Sequence, residues 1–369
     1  MTQRERMQRT IAHELPDRTP AVLAGRPEMD RALLEWYGVS TMSEVHQILG
    51  TDGWGGVGVG LDWGDYWQRC NGTREGDWPG AGRPYIWHDR DTYEDEWGVV
   101  RRVGSDEKYV QWVDGPLSAA DSVEAANLPG PERLVVPPNL ADIVQDQKSR
   151  GMWVSAGVTQ PFKQAWELCG MQRLFSAYLL ERDFLEELYD RLYALGTAIL
   201  TTCTAAGVDM VSVGGDIAMQ DRVIVGPRLW REVDKPRLAA MIAACKRINP
   251  GVHVFIHSDG KLDDIMPDLI EIGFDITDPI QPECMDPFEI KRLYGDRIVL
   301  HGCGSLQKVL PYGTIEDVRR HVVDLIQGCG YNGGLVLRVS NAIGFDVPVA
   351  NVVTFFETAR DYDLSSLRS

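Results

Sequence analysis

Val254-Phe255-Ile256-His257-Ser258-Asp259-Gly260 decides how this chain is read. Three apolar residues in a row predict a strand buried on both faces. The polar cluster His257, Ser258, Asp259 follows at once, and Gly260 lets the backbone turn sharply. Lys261 to Ile272 then reads as a helix, with Leu262, Ile265, Met266, Leu269 and Ile270 on one face. A polar cluster at the junction of a buried strand and its helix is where α/β folds place their chemistry. The plainer alternative is a helix N-cap by Ser258 or Asp259, with His257 satisfied in the interior.

Working outward, the same rhythm recurs. Asp209 to Gly214 reads as the preceding strand, ending at Gly215-Asp216, and Met152 to Gly157 as the one before that. Asp275-Ile276, Arg297 to Gly304 and Leu335 to Asn341 continue the series, and Ala21 to Ala24 and Gly53 to Val59 begin it. Helices are predicted between them, at Pro161–Glu181, Phe184–Ala206, Pro227–Ile248, Ile315–Gly328 and Val349–Tyr362. Strand–helix alternation implies a parallel sheet with helical crossovers. Eight such units predict a (β/α)8 TIM barrel over residues 1–369 as a single domain; an open doubly wound sheet is the alternative.

Asp62 to Pro138 differs, being rich in Trp, Tyr, Gly and charge. Glu96–Val103 and Lys108–Val113 read as a hairpin joined around Gly104-Ser105-Asp106. The expectation is an elaboration over 60–150 between strands two and three. Trp63, Tyr66, Trp67, Trp78 and Trp87 would either roof a pocket or form a small aromatic core of their own.

A net charge of −17 argues against a nucleic-acid surface, which needs a basic face. No apolar run approaches the ~18 residues of a membrane span, and no signal core follows the N-terminus, so a cytoplasmic protein is expected. Seven scattered cysteines without Cys-x-x-Cys indicate neither a disulfide framework nor a zinc ribbon.

The order of short motifs resembles the uroporphyrinogen decarboxylase superfamily. Arg4-Glu5-Arg6 with Pro16-Asp17-Arg18-Thr19-Pro20 opens it, followed by Asp95-Glu96-Trp97-Gly98, Pro161-Phe162, Gly215-Asp216 and His257-Ser258-Asp259-Gly260. Gly273-Phe274-Asp275, Pro279-Ile280-Gln281-Pro282, Asp346-Val347-Pro348 and Asn351-Val352 close it. The resemblance implies a (β/α)8 barrel. Within the superfamily, the decarboxylase has an Arg-Gln-Ala-Gly-Arg segment after the first strand. Here Leu23-Ala24-Gly25-Arg26-Pro27-Glu28 keeps only Arg26, and Ser340-Asn341 stands where the decarboxylase has a histidine. A polycarboxylate substrate needs several cations, whereas Asp216, Asp259, Glu283 and Asp346 make this mouth acidic. The coenzyme M methyltransferases have His-x-Cys at the fifth strand; here Asp259 replaces that cysteine.

The His-Ser-Asp-Gly variant is similar to the corrinoid-dependent methyltransferase branch. The resemblance implies methyl transfer from a small methoxylated or methylated compound to cob(I)alamin on a partner corrinoid protein, an O-demethylase type of reaction. No Asp-x-His-x-x-Gly corrinoid-binding segment occurs, so the cobalamin would come with the partner. His257, Asp259 and Asp216 are the catalytic candidates; Gln160, Glu283, Arg338 and Asn341 are the substrate-binding candidates. If zinc is held, His257 and Asp259 with Cys303, or with Glu283 in its place, are the candidate ligands. An inward Arg338 needs a partner, on the substrate or at Asp216 or Asp259. His301 is expected to point outward into the helix layer. A homodimer is compatible with the sequence. The competing readings are a decarboxylase-like carboxy-lyase and a non-catalytic binding member of the superfamily.

Overall fold

Alternation decides what each strand of this protein presents to the interior. The computed structural model describes residues 1–105 and 109–367. Seven strands form one curled sheet, hydrogen-bonded in chain order: Trp54–Gly56, Trp153–Thr159, Met210–Gly214, His253–His257, Ile276–Asp278, Val299–His301 and Leu335–Val336. Parallel neighbours need crossovers, and helices such as Pro227–Ile248, Met266–Ile272 and Ile315–Cys329 supply them. The result is a TIM-barrel-like α/β fold.

Trp153, Met210, Phe255, Ile276, Val299 and Val336 meet in one buried apolar cluster with Met7 and Ile11, and Trp54 packs against it. Val254 and Ile256, between them in sequence, are buried as well, so the strand is covered on both faces as expected. Two residues beyond Phe255, Ile276, Val299 and Val336 come His257, Asp278, His301 and Arg338, on the same side by strand alternation. The register pairs His257 directly with Asp278. An apolar floor therefore carries a charged layer at the C-terminal strand ends. Each large apolar side chain in that floor contributes roughly 1.5–3 kcal/mol through burial.

Carboxylates fasten the other end of the sheet. Asp52 accepts the Ala21 N–H (3.1 Å), Asp209 the Val154 N–H (3.0 Å) and Asp275 the Val254 N–H (2.8 Å). Arg6 Nη1 and Arg18 Nη1 both donate to Asp52, at 2.6 and 2.7 Å. Arg4 pairs with Asp209 at 2.8 Å. These contacts give the arginines and Pro-Asp-Arg-Thr-Pro run of the N-terminus a structural role.

Several elements differ from expectation. Ala21–Ala24 forms no continuous strand; isolated parallel bridges join Ala21 to Leu337 and Gly25 to Ile343. The last strand covers Leu335–Val336 and continues only as bridges. The helix expected over Pro161–Glu181 is two helices, Pro161–Cys169 and Met171–Leu179, broken at Gly170 with φ 79°. The helix expected from Lys261 begins as a 3-10 turn at Asp263–Ile265 and becomes α-helical over Met266–Ile272. Lys261 is still turning there, its N–H donated to Met219 O at 2.8 Å.

The chain forms two compact units. The first comprises 1–57, 139–157 and 203–369 and holds most of the sheet and the strand ends described above; the second comprises 58–138 and 158–202. Helix Leu140–Ser149 thus groups with the first unit, inside the span expected as the elaboration. In the second unit five antiparallel strands run Gly72–Thr73, Pro84–Trp87, Thr92–Glu94, Val100–Val103 and Val110–Asp114. The last two are the expected hairpin, whose Asp106 and Lys108 lie outside the described residues. Trp78, Tyr85, Tyr93 and Val103 form a buried cluster with Trp87 against it. For Trp78 and Trp87 the aromatic-core alternative therefore holds. Asp95 accepts the N–H groups of Trp97 and Val99 at 2.9 and 3.0 Å, which makes Asp-Glu-Trp-Gly a turn. Among the described residues no helix is long and apolar enough to cross a membrane.

Candidate active site

Ser258 organises the backbone of the site. It caps no helix. Its Oγ accepts the buried Ile217 N–H at 3.0 Å and its N–H donates to the Asp278 carbonyl at 2.8 Å. Three successive strand ends are thereby tied through one residue. Gly260 has φ 97°, and a Cβ there would lie 2.4 Å from Met219 O, so this turn requires glycine. Gln281 Oε1 accepts the Gly260 N–H at 3.2 Å.

The tie brings Asp216 beside the 257–259 segment. Asp259 N–H donates to Asp216 Oδ1 at 3.0 Å, and Asn341 Nδ2 donates to Asp259 Oδ2 at 2.5 Å. Asp259 Oδ1 is buried without a partner. One ligand atom each from Asp216, His257 and Asp259 lies within 4.8 Å of the others. Burial and the neighbouring Asp216 charge raise the Asp259 carboxyl above its ordinary value, against the opposing pull of His257 and Asn341. An acid-rich triad of this kind has the donor set of a divalent-cation site.

Behind the triad lies a residue that the sequence reading missed. Asp278 is buried, and its carboxylate meets His257 Nδ1 at 2.5 Å, His301 Nδ1 at 2.5 Å and Arg338 Nη1 at 3.0 and 3.1 Å. Burial opposes its ionisation, but His301, His257 and Arg338 outweigh it and hold the carboxyl far below the usual range. Burial pulls His257 down, yet the Asp278 hydrogen bond and the charges of Asp278 and Asp259 leave it raised overall. Burial holds His301 below its ordinary value. Strand alternation was the available signal: if Ile276 faces inward, so does Asp278.

His301 accordingly points inward, not into the helix layer. Its ring lies 5.5 Å from both Trp54 and Phe255, and its Nε2 is buried without a partner. The inward Arg338 finds its partner in Asp278 rather than in Asp216 or Asp259. Cys303 is not part of the triad; it is fully buried, and burial pushes its thiol well above its ordinary value. Asp216 stands where Cys303 was expected. Glu283 is anchored through Oε1 by Ser305 Oγ (2.6 Å) and the Gln307 N–H (3.3 Å), while Oε2 is buried without a partner. Gln160 belongs to the second unit, where it precedes the helix Pro161–Cys169 with both amide atoms buried and unpartnered.

With this geometry in view, comparison places the fold. Residues 105–362 match the family model for uroporphyrinogen decarboxylase (URO-D). The chain belongs to the uroporphyrinogen decarboxylase family. No curated protein matches this sequence. Among solved structures, a methyltransferase from Methanosarcina mazei is similar over 98% of this chain and 99% of its own, with TM-score 0.65 and 14% identity. A B12-independent methionine synthase from Shewanella sp. W3-18-1 matches over 64% of this chain and 68% of its own, with TM-score 0.38 and 11% identity. The first likeness shows a shared fold along nearly the whole chain. This member's strand-end site is built from Asp216, His257, Asp259, Asp278, His301 and Arg338.

Proposed function

We propose that this protein is a corrinoid-dependent methyltransferase. It moves a methyl group from a small methoxylated or methylated compound to cob(I)alamin carried by a partner protein. The observation that carries the reading is the Asp216–His257–Asp259 triad at adjacent strand ends. Family membership and the methyltransferase-like fold support it. In the same reading the Ala21–Gly25 segment, bridged to Leu337 and Ile343, completes an eight-stranded barrel whose mouth admits the corrinoid face.

The chemical difficulty is the leaving group. The methyl carbon exchanges its bond to oxygen for one to the reduced corrinoid, and an ether oxygen departs poorly without charge compensation. Asp216, His257 and Asp259 would hold a divalent cation such as zinc. When bound there, such an ion supplies Lewis-acid polarisation of the leaving heteroatom. Asn341 orients Asp259. Glu283 and Arg338 are assigned to the substrate. Without a cation, His257 would itself give the proton to the departing oxygen.

The test mixes the protein with cob(I)alamin and methoxylated compounds and follows methylcobalamin in the visible spectrum. Transfer is expected, and His257→Ala should slow it by about 10²–10⁴-fold. Chelation should abolish it and added zinc restore it; insensitivity to chelators would leave His257 as the proton donor. Decarboxylation of a porphyrinogen with cob(I)alamin left unmethylated would overturn the reading.

A further inference from the structure

We infer that Asp278 is the positioning residue of this site, fixing His257 in the tautomer that carries its proton on Nδ1 and leaves Nε2 free as a lone-pair donor. The inference rests on the cation reading above only for what Nε2 then binds.

The argument is one of hydrogen-bond capacity. An ionised carboxylate accepts only, at about four lone-pair positions. Asp278 Oδ2 meets His257 Nδ1 at 2.5 Å and Arg338 Nη1 at 3.0 Å; Oδ1 meets His301 Nδ1 at 2.5 Å and Arg338 Nη1 at 3.1 Å. Arginine can only donate. Both imidazoles face an oxygen already aligned with a cation, so each must offer an N–H there. Two neutral histidines on one carboxylate thus share one tautomer. Their Nε2 atoms become acceptors by elimination. His301 Nε2 lies buried among Trp54 and Phe255 with no partner. His257 is part-exposed and stands with Asp216 and Asp259 in the triad; with Nδ1 engaged by Asp278, Nε2 is the ring nitrogen left to serve there. Carboxylate support of this kind raises a histidine's basicity as a ligand and fixes its ring.

Asn at 278 breaks the arrangement by its chemistry alone. It has one acceptor oxygen and a donating amide, so it cannot accept from both imidazoles and the guanidinium at once. One histidine must then turn an unprotonated Nδ1 toward it.

The experiment records ¹⁵N–¹H correlations of the histidine rings in the full-length protein, in alkaline solution where imidazoles are neutral, alongside Co(II) titrations followed by absorption. His257→Gln and His301→Gln assign the two ring signals. In the wild type both rings should carry the proton on Nδ1. In Asp278→Asn at least one of the two rings should shift its tautomer, and Co(II) affinity should fall by about 10–100-fold. A wild-type His257 protonated on Nε2 would overturn the inference without any variant having to fold. So would an Asp278→Asn protein with both ring tautomers and the Co(II) affinity unchanged. If the tautomers behave as expected but the wild type binds no Co(II), the positioning role stands and the cation reading fails separately.

Discussion

Gly260 shows how a residue without a side chain can control a charged site. Its φ of 97° places it where other residues are strained, and its Cα approaches Met219 O too closely for a Cβ. Gly38 has a comparable positive φ of 64° but open space around it. Gly260→Ala should therefore cost more than the roughly 1–2 kcal/mol that the left-handed conformation alone imposes on Gly38→Ala, and should also weaken Co(II) binding by displacing Asp259. Urea denaturation of the two variants separates the terms; equal losses would show that the Met219 contact yields freely. His257, Asp259 and Asp216 were legible in the sequence because each ends a strand or follows one by two residues. Asp278 was not, since its partners are 21, 23 and 60 residues away in the chain. Cys303 was a candidate ligand, but it is fully buried and lies outside the Asp216–His257–Asp259 group.

At the scale of elements, the site is a product of neighbouring loops held in register by Ser258. Ser258→Ala would leave the buried Ile217 N–H unpaired, at a cost of about 1–3 kcal/mol. Because Asp216 is the adjacent residue, Co(II) affinity should decline in parallel with stability, as read from urea melts and metal titrations. A stability loss with affinity intact would mean that Asp216 is held by other contacts. Helices with strong apolar periodicity were readable to within a few residues, as with Ile315–Cys329, expected over Ile315–Gly328. Edges were less so: Leu337 and Val339 are buried and apolar yet take part only as bridges. Apolar periodicity records burial; it does not record how far a hydrogen-bonded ladder runs.

On the scale of the whole molecule, the first unit carries a further buried charge, outside the Asp216–His257–Asp259 group. Lys291 is 3% exposed, and its ammonium donates to Gly333 O at 2.9 Å and Gly295 O at 3.2 Å. Burial draws it down to about 8, against the pull of Cys329, Cys303 and Asp296. Above that pH the folded protein has released the proton while the unfolded chain still holds it, so this residue's contribution to stability rises with pH until the ordinary lysine range is reached. Lys291→Met removes that rise. The stability of wild type minus variant should increase steadily through this window in urea melts, and a flat difference would contradict the assignment. The barrel-like fold was legible from strand–helix alternation, but the grouping of residues 158–202 with 58–138 was not, because compactness depends on contacts that no local pattern encodes. The carboxylates at the strand starts have a consequence for the order of synthesis. Asp52, Asp209 and Asp275 come 31, 55 and 21 residues after the backbone groups they fasten. A chain emerging at about 5–20 residues per second therefore leaves each of these three backbone groups unfastened for seconds, until a later segment arrives to secure it.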